Sequence, residues 1–252
     1  MLALTHVPSP YMESCQLTYV AREGIDIDRA IRQHKAYCDM LQGCGAEVRT
    51  LDIHRDLPDC AFIEDTAVVL DEVAILTSMG TAARRHELAG IEPILRPYRA
   101  VRRIELPATI EGGDVLRIGR RLLVGASSRT NAAGASALAA IVGCHGYKVA
   151  PVPVLGCLHL KTACSALDDE RLLVNPAWVD VSALSGFHLV PVPAAEPWAA
   201  NVLRVGTSLC LAANHERTAE LIRALGFDVR VVDLSEFAKA EGGVSCLSIL
   251  ME

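Results

Sequence analysis

The chain repeats one unit, and that repetition limits its fold more than any other feature. Gly113-Asp114-Val115-Leu116-Arg117-Ile118-Gly119 and Ala200-Asn201-Val202-Leu203-Arg204-Val205-Gly206 read alike, as a short apolar strand running into a glycine turn. A second strand follows each (122–125 and 209–212). Next comes a helical segment opened by Arg129-Thr130 or Arg217-Thr218, where the threonine hydroxyl is expected to cap the helix. A glycine and a third strand close the unit (147–150 and 227–232). Two weaker copies fill the gaps. Strands at 64–70 and 73–76, a helix from Thr81 and a strand at 102–106 make one. Strands at 162–167, 171–174 and 187–192, with a weakly marked helix between the last two, make the other. The N-terminal part offers a strand at 3–7, a helix over about 28–42 and a strand at 46–51. That helix is expected to bury Ile31, Ala36, Cys38 and Leu41, with Gly43 and Gly45 available to end it. This fifth set lacks one strand, which the C-terminal stretch 243–250 can supply.

A unit of roughly 45 residues points to a solenoid or a propeller, and completion of the fifth copy by both termini favours a closed ring. The expected fold class is α/β: five ββαβ-type units with pseudo-fivefold symmetry in a propeller closed by the termini. No linker or compositional break divides residues 1–252, so one domain is expected. In a closed ring the strand starts converge near the axis. The residues there are Glu64 and Asp65, Glu111 and Asp114, His159 and Thr162, Asn201 and Cys246. Singly, each has a plainer explanation. Glu64-Asp65 and Glu111-Gly112-Gly113-Asp114 both suit turns, His159 suits a satisfied core position, and Cys246 a buried thiol. Jointly they place a nucleophile, an acid/base and anchors for a cation around one channel. Arg84, Arg85, Arg129 and Arg217 fall near helix starts. A cation there opposes the helix dipole unless an anion visits.

Several classes are excluded. Net charge is -6 with no basic block, which argues against nucleic acid. No apolar run approaches the length of a membrane span, and the N-terminus lacks the pattern of a signal peptide. The nine cysteines are odd in number and irregularly spaced, without Cys-x-x-Cys. That disfavours a disulfide framework or a structural zinc site and fits reduced thiols in a cytoplasm.

Six stretches, in order, resemble the dimethylarginine dimethylaminohydrolase family of the pentein, or guanidino-modifying, superfamily. They are Phe62-Ile63-Glu64-Asp65-Thr66-Ala67-Val68, Thr109-Ile110-Glu111-Gly112-Gly113-Asp114-Val115, Ser128-Arg129-Thr130-Asn131, Leu158-His159-Leu160-Lys161-Thr162, Trp198-Ala199-Ala200-Asn201 and Gly242-Gly243-Val244-Ser245-Cys246. The resemblance spans nearly the whole chain and implies a five-bladed α/β propeller. It implies that Cys246 is the nucleophile, His159 the general acid/base and Glu111 the carboxylate beside that histidine. It assigns Glu64 and Asp65 to the guanidinium, Arg84 and Arg129 to the substrate α-carboxylate, and Asp59 to the α-amino group. Leu17 falls in a flexible lid whose backbone touches substrate, and the lid region from Ser9 to Gly24 is the least similar part.

The implied reaction is hydrolysis of Nω-methylated arginines to citrulline and a methylamine, with no metal and no cofactor. A small guanidino amino acid is the implied partner, and a homodimer is left open. Two alternatives stay in view. Another guanidino hydrolase of the superfamily, acting on arginine or agmatine, keeps the cysteine chemistry. The inserted helical domain that the family implies for arginine deiminases has no room in 252 residues, and the two arginines argue against agmatine. A non-catalytic propeller that binds a partner is allowed by the fold alone. A zinc ion on Cys246, His159 and Asp65 would be inhibitory or adventitious.

Overall fold

The computed structural model describes residues 1–252. Its strands fall into five three-stranded sheets, each with the same internal order. A short first strand pairs antiparallel with a buried central strand, and a helical connection returns the chain to a parallel outer strand. The first blade is Ala67–Val69, Val73–Leu76 and Ala100–Arg103. The second is Val115–Ile118, Arg121–Ala126 and Lys148–Pro153. The third is Cys164–Ala166, Arg171–Val174 and His188–Pro191, and the fourth Leu203–Val205, Ser208–Ala212 and Asp228–Val232. The fifth joins the two ends of the chain. Ile249–Met251 lies antiparallel to Leu2–His6, which is parallel to Glu47–Leu51, with Leu4 opposite Ile249. This is the five-bladed α/β propeller expected from the repeat.

Five separate apolar cores lie between neighbouring blades, so no single core dominates. Val68 and Ile75 of the first blade meet Val115, Val124 and Leu138 of the second, and Leu4 and Ile249 of the fifth meet Ala67 and Leu76 of the first. Each fully buried leucine or isoleucine contributes roughly 2 kcal/mol to holding its two blades together. The first strands face the axis. A cavity there is lined by Val68, Leu116, Ala166, Leu203 and Leu250, one residue from each blade.

Local details differ from the sequence expectation in instructive ways. Helix Ile27–Gly43 forms as expected, capped by Asp26, whose carboxylate accepts from Arg29 N–H at 2.9 Å. Ile31 and Ala36, however, are exposed; the buried stripe is Ala30, Gln33, His34, Tyr37 and Leu41. The stripe is polar in part because it packs against loop backbone. The Tyr37 hydroxyl donates to Val244 C=O at 2.9 Å and sits 2.8 Å from Ser248 Oγ. The threonine caps are also corrected. Asn131 caps helix Ala132–Val142 by accepting from Gly134 N–H at 2.8 Å. Thr218 lies inside helix Glu216–Ala224, whose free amides at Arg217 and Thr218 are met at 2.9 Å by the Glu196 carboxylate from a preceding loop. A long-range carboxylate does the work expected of a local hydroxyl. The weakly marked helix of the third blade is a short 3₁₀ segment, Val181–Leu184. No helix is long and apolar enough to cross a membrane.

Candidate active site

The polar residues expected at strand starts sit one turn earlier. In each blade a helical turn or tight loop precedes the first strand, and it carries them. Glu64 and Asp65 lie in Ile63–Thr66, Glu111 directly precedes Gly112–Asp114, and His159 directly precedes Leu160–Ala163. Asn201 and Cys246 occupy the matching turns of the other two blades.

These five turns are stitched into a closed ring. Gly113 N–H donates to Asp65 Oδ1 at 2.9 Å, and Leu160 N–H to Asp114 Oδ1 at 2.8 Å. Asn201 Nδ2 donates to Lys161 C=O at 2.9 Å, while its Oδ1 accepts from Ser245 N–H at 3.1 Å. Glu64 N–H donates to Cys246 C=O at 3.2 Å and completes the circle. Two glycines permit the close approach. A Cβ on Gly113 would lie 2.6 Å from His159 Nδ1, and one on Gly243 would lie 2.3 Å from Asn201 Oδ1.

His159 is buried and lies 2.7 Å from Glu111 Oε2 and 3.8 Å from Asp65 Oδ1. Glu111 is fully buried and held by Gly80 N–H at 2.9 Å. Burial is the largest influence on the imidazole and works to lower its pKa. The carboxylates of Asp65, Asp114 and Glu111 overcome it and raise the pKa to about 9. His159 is therefore a cation at neutral pH. Asp65 shows the complementary balance. Burial pushes it up, but the His159 and Arg84 charges, with the Arg84 and Gly113 hydrogen bonds, bring it down to about 2.

Cys246 is half-buried on the loop that begins at Glu241, and its Sγ accepts from Gly243 N–H at 3.4 Å. Burial first, then the negative charges of Glu64 and Asp65, push its thiol up to about 12. The site thus holds Cys246 as a thiol and His159 as an imidazolium. Glu64 accepts from Lys161 Nζ at 2.6 Å and from Ser245 Oγ at 3.0 Å, and all three residues line the axial cavity.

The remaining expected residues lie on one side of this centre. Asp59 is buried and accepts from Gln16 N–H at 3.1 Å, which places the lid directly beside it; Leu17 is half-buried in that lid. The two arginines differ. Arg84 grips Glu87 with two parallel hydrogen bonds of 2.9 and 2.8 Å, Asp65 with a third of 2.7 Å, and Phe62 C=O with a fourth. Its carboxylate-binding edge is already occupied by a protein carboxylate. Arg129 is also buried, yet its Nη1 has no hydrogen-bond partner; it lies 3.5 Å from Glu111 Oε1, and Nη2 reaches Thr18 Oγ1 at 3.4 Å. A buried guanidinium with an unused donor is poised for a further acceptor. Arg85 and Arg217 are exposed and outside the site.

Glu87, Lys161, Ser245 and Glu241 were not anticipated as contributors. Glu87 had one available signal, its i,i+3 spacing from Arg84. Lys161 and Ser245 pair across blades, and Glu241 pairs with the lid. Asp65, Glu111 and His159 bring three ligand atoms within 4.8 Å of one another and could take a divalent ion, but only by giving up the bonds that now join them to Arg84, Gly80 and each other.

Residues 51–188 match the family model described as arginine deiminase. A relative named N(G),N(G)-dimethylarginine dimethylaminohydrolase, from Streptomyces coelicolor, is 41% identical over 98% of this chain and 95% of its own. The solved dimethylarginine dimethylaminohydrolase of Pseudomonas aeruginosa, as a cysteine-to-serine mutant complexed with citrulline, superposes with a TM-score of 0.92 at 34% identity, covering 98% of this chain and 97% of its own. A histidine-to-glycine form of a dimethylarginine dimethylaminohydrolase, as an adduct with S-methyl-L-thiocitrulline, gives 0.93 at 34% identity, with 98% of each chain covered.

Proposed function

The chain belongs to the dimethylarginine dimethylaminohydrolases, a branch of the arginine deiminase family, and on that premise we propose how its site hydrolyses Nω-methylated arginines to citrulline and the methylamine. The observation that carries the proposal is the geometry of the ring of turns, which sets His159 2.7 Å from Glu111 and 3.8 Å from Asp65 and joins the Cys246 turn directly to the Glu64-Asp65 turn.

Burial does most to hold the thiol protonated and the charges of Glu64 and Asp65 add to it; a guanidinium entering beside them offsets those two charges. Cys246 then loses its proton to solvent and attacks the guanidino carbon. His159, an imidazolium held by Glu111, donates its proton to the departing dimethylamine or methylamine, because an amide anion would be too poor a leaving group. The planar thiouronium adduct remains. The now neutral His159 takes a proton from a water that adds to this carbon. Collapse breaks the C–S bond as the hydroxyl proton passes to the departing sulfur, which releases citrulline and restores the thiol and the imidazolium.

At the other end of the substrate, Arg129 supplies the unused donor for the α-carboxylate and Asp59 the acceptor for the α-amino group. Leu17 contributes main-chain contact from the lid. For Arg84 the proposal differs from the resemblance. Its bidentate edge is filled by Glu87, so it acts here as a strut that keeps Asp65 ionised and oriented, and contact with the substrate carboxylate would require Glu87 to release it.

The test is a citrulline assay on the purified protein without added metal, comparing asymmetric dimethylarginine, monomethylarginine, arginine and agmatine. Citrulline from the methylated substrates with little from arginine is expected, and Cys246→Ser is expected to stay folded without turnover. Turnover of arginine or agmatine alone would move the substrate assignment. No turnover of any would return the binding-module alternative, and turnover by Cys246→Ser would remove the nucleophile.

A further inference from the structure

Glu241 has no part in the chemistry above, yet it is unusual in three respects. Its backbone is left-handed, with φ of 60°, and it is the one non-glycine residue with positive φ. Such a conformation is costly for a residue with a Cβ and persists where the surroundings impose it. Its side chain is buried, at 8% exposure, and no lysine, arginine or histidine pairs with it. Instead it accepts from three successive amides of the lid: Thr18 N–H at 3.0 Å to both oxygens, Tyr19 N–H, and Val20 N–H at 2.8 Å. Consecutive amides turned towards one point form a concave anion site. Here the anion is the protein's own carboxylate, delivered from the segment that five residues later presents Cys246.

The other side of the lid is fixed in the same manner. Asp59 accepts from Gln16 N–H. Leu17 therefore sits between two carboxylate-held amides. In a trans peptide the N–H and C=O point in opposite directions. With Thr18 N–H turned to Glu241, the Leu17 carbonyl must turn away from it.

We infer that Glu241 is a positioning residue that latches the lid, setting the direction of the Leu17 carbonyl and tying lid closure to the loop that carries Cys246. This rests on the proposed hydrolase function for its kinetic consequence, but not for its structural one. Because the latch orders a substrate-contacting segment without touching the reacting atoms, its loss weakens binding more than chemistry. A glutamine at 241 keeps the shape but turns an NH₂ group towards amide N–H donors.

The experiment pairs amide hydrogen exchange with steady-state kinetics for Glu241→Gln and Glu241→Gly, the latter suited to the left-handed backbone. In both variants the amides of residues 18–20 should exchange about tenfold faster or more, with those of helix Ile27–Gly43 unchanged. KM for the methylated arginine should rise about tenfold with kcat altered about threefold at most, and Glu241→Asp should recover part of the loss. Unchanged exchange at 18–20 in both variants overturns the latch, as does a lost kcat at unchanged KM. If the unaltered protein forms no citrulline, the hydrolase assignment falls and the exchange measurement alone decides the latch.

Discussion

The most exposed consequence of the proposed site is that the Cys246 thiol reacts slowly until a cation arrives. With Cys246 at about 12 against about 8.5 for a free cysteine, the thiolate fraction at pH 7.5 is roughly three-thousandfold lower. A more basic thiolate is a better nucleophile, which returns about fortyfold for a Brønsted slope near 0.45. Alkylation of Cys246 by iodoacetamide should therefore run about seventyfold slower than that of a free thiol at this pH. It should climb about tenfold per pH unit, without a plateau, to at least pH 10.5. Glu64→Gln removes the larger of the two charge contributions and leaves the Lys161 ammonium unpaired close by. Both effects favour thiolate, and about a tenfold faster alkylation at pH 7.5 is expected. The variant does permanently what a bound guanidinium does transiently. The assay is mass spectrometry of the peptide containing Cys246, so the other eight cysteines do not interfere. A plateau below pH 10 in the unaltered protein would refute the account, as would a Glu64→Gln variant that reacts no faster.

His159 should show in stability as well as in rate. Its pKa is raised from 6.5 to about 9, so its stabilising contribution is fully present below pH 6.5 and is lost as pH rises through 9. The contribution is at most on the order of 3 kcal/mol; the melting-temperature gap between the unaltered protein and His159→Gln should be constant below pH 6.5 and shrink towards pH 9, and kcat/KM should climb with pH and level off with the same midpoint, because below it the reacting state carries one proton fewer than the free enzyme. The two arginines should separate. Arg129→Lys should raise KM by about tenfold or more through loss of a planar donor with little change in melting temperature. Arg84→Lys should lower melting temperature by about 5–10 °C, because Asp65 and the buried Glu87, which burial raises to about 7, then share one ammonium. Gly113→Ala should keep the circular dichroism spectrum yet cost about a hundredfold in kcat, since its Cβ would fall 2.6 Å from His159 Nδ1 and 2.9 Å from Asp65 Oδ1.

Sequence periodicity carried the fold because each blade repeats the same local problem: two short apolar strands joined by a glycine turn, then a crossover. Ring closure was legible for the same reason, as a missing strand at one end and a spare one at the other. The spare strand shortened to Ile249–Met251, because the residues before it are the Cys246 turn. Helix Ile27–Gly43 shows what periodicity alone does not reveal. Its buried face holds Gln33, His34 and Tyr37, chosen by partners such as Ser235 Oγ and Val244 C=O, more than 200 residues away. In the candidate site, the polar coincidence across repeats singled out Glu64, Asp65, Glu111, His159 and Cys246, whose turns the structure joins into one ring. It did not single out Lys161 or Glu241, whose partners lie far along the chain, nor Glu87, which pairs with Arg84 only three residues away.

The same arrangement explains why the reactive groups are spread over five blades. A buried carboxylate or imidazole is costly unless paired, and within one short turn there is no room for a partner. Each turn therefore borrows from its neighbours: Asp65 from Gly113, Asp114 from Leu160, Asn201 from Lys161 and Ser245, and the Glu64 carboxylate from Lys161 and Ser245. Closing the ring and ordering the site are one event, because the last of these bonds forms only when the chain's two ends meet in the fifth blade. A defect in any turn leaves a polar group unpaired in the next. The propeller thus supplies more than a scaffold: its closure fixes the charges that keep Cys246 protonated at rest and His159 ready to donate.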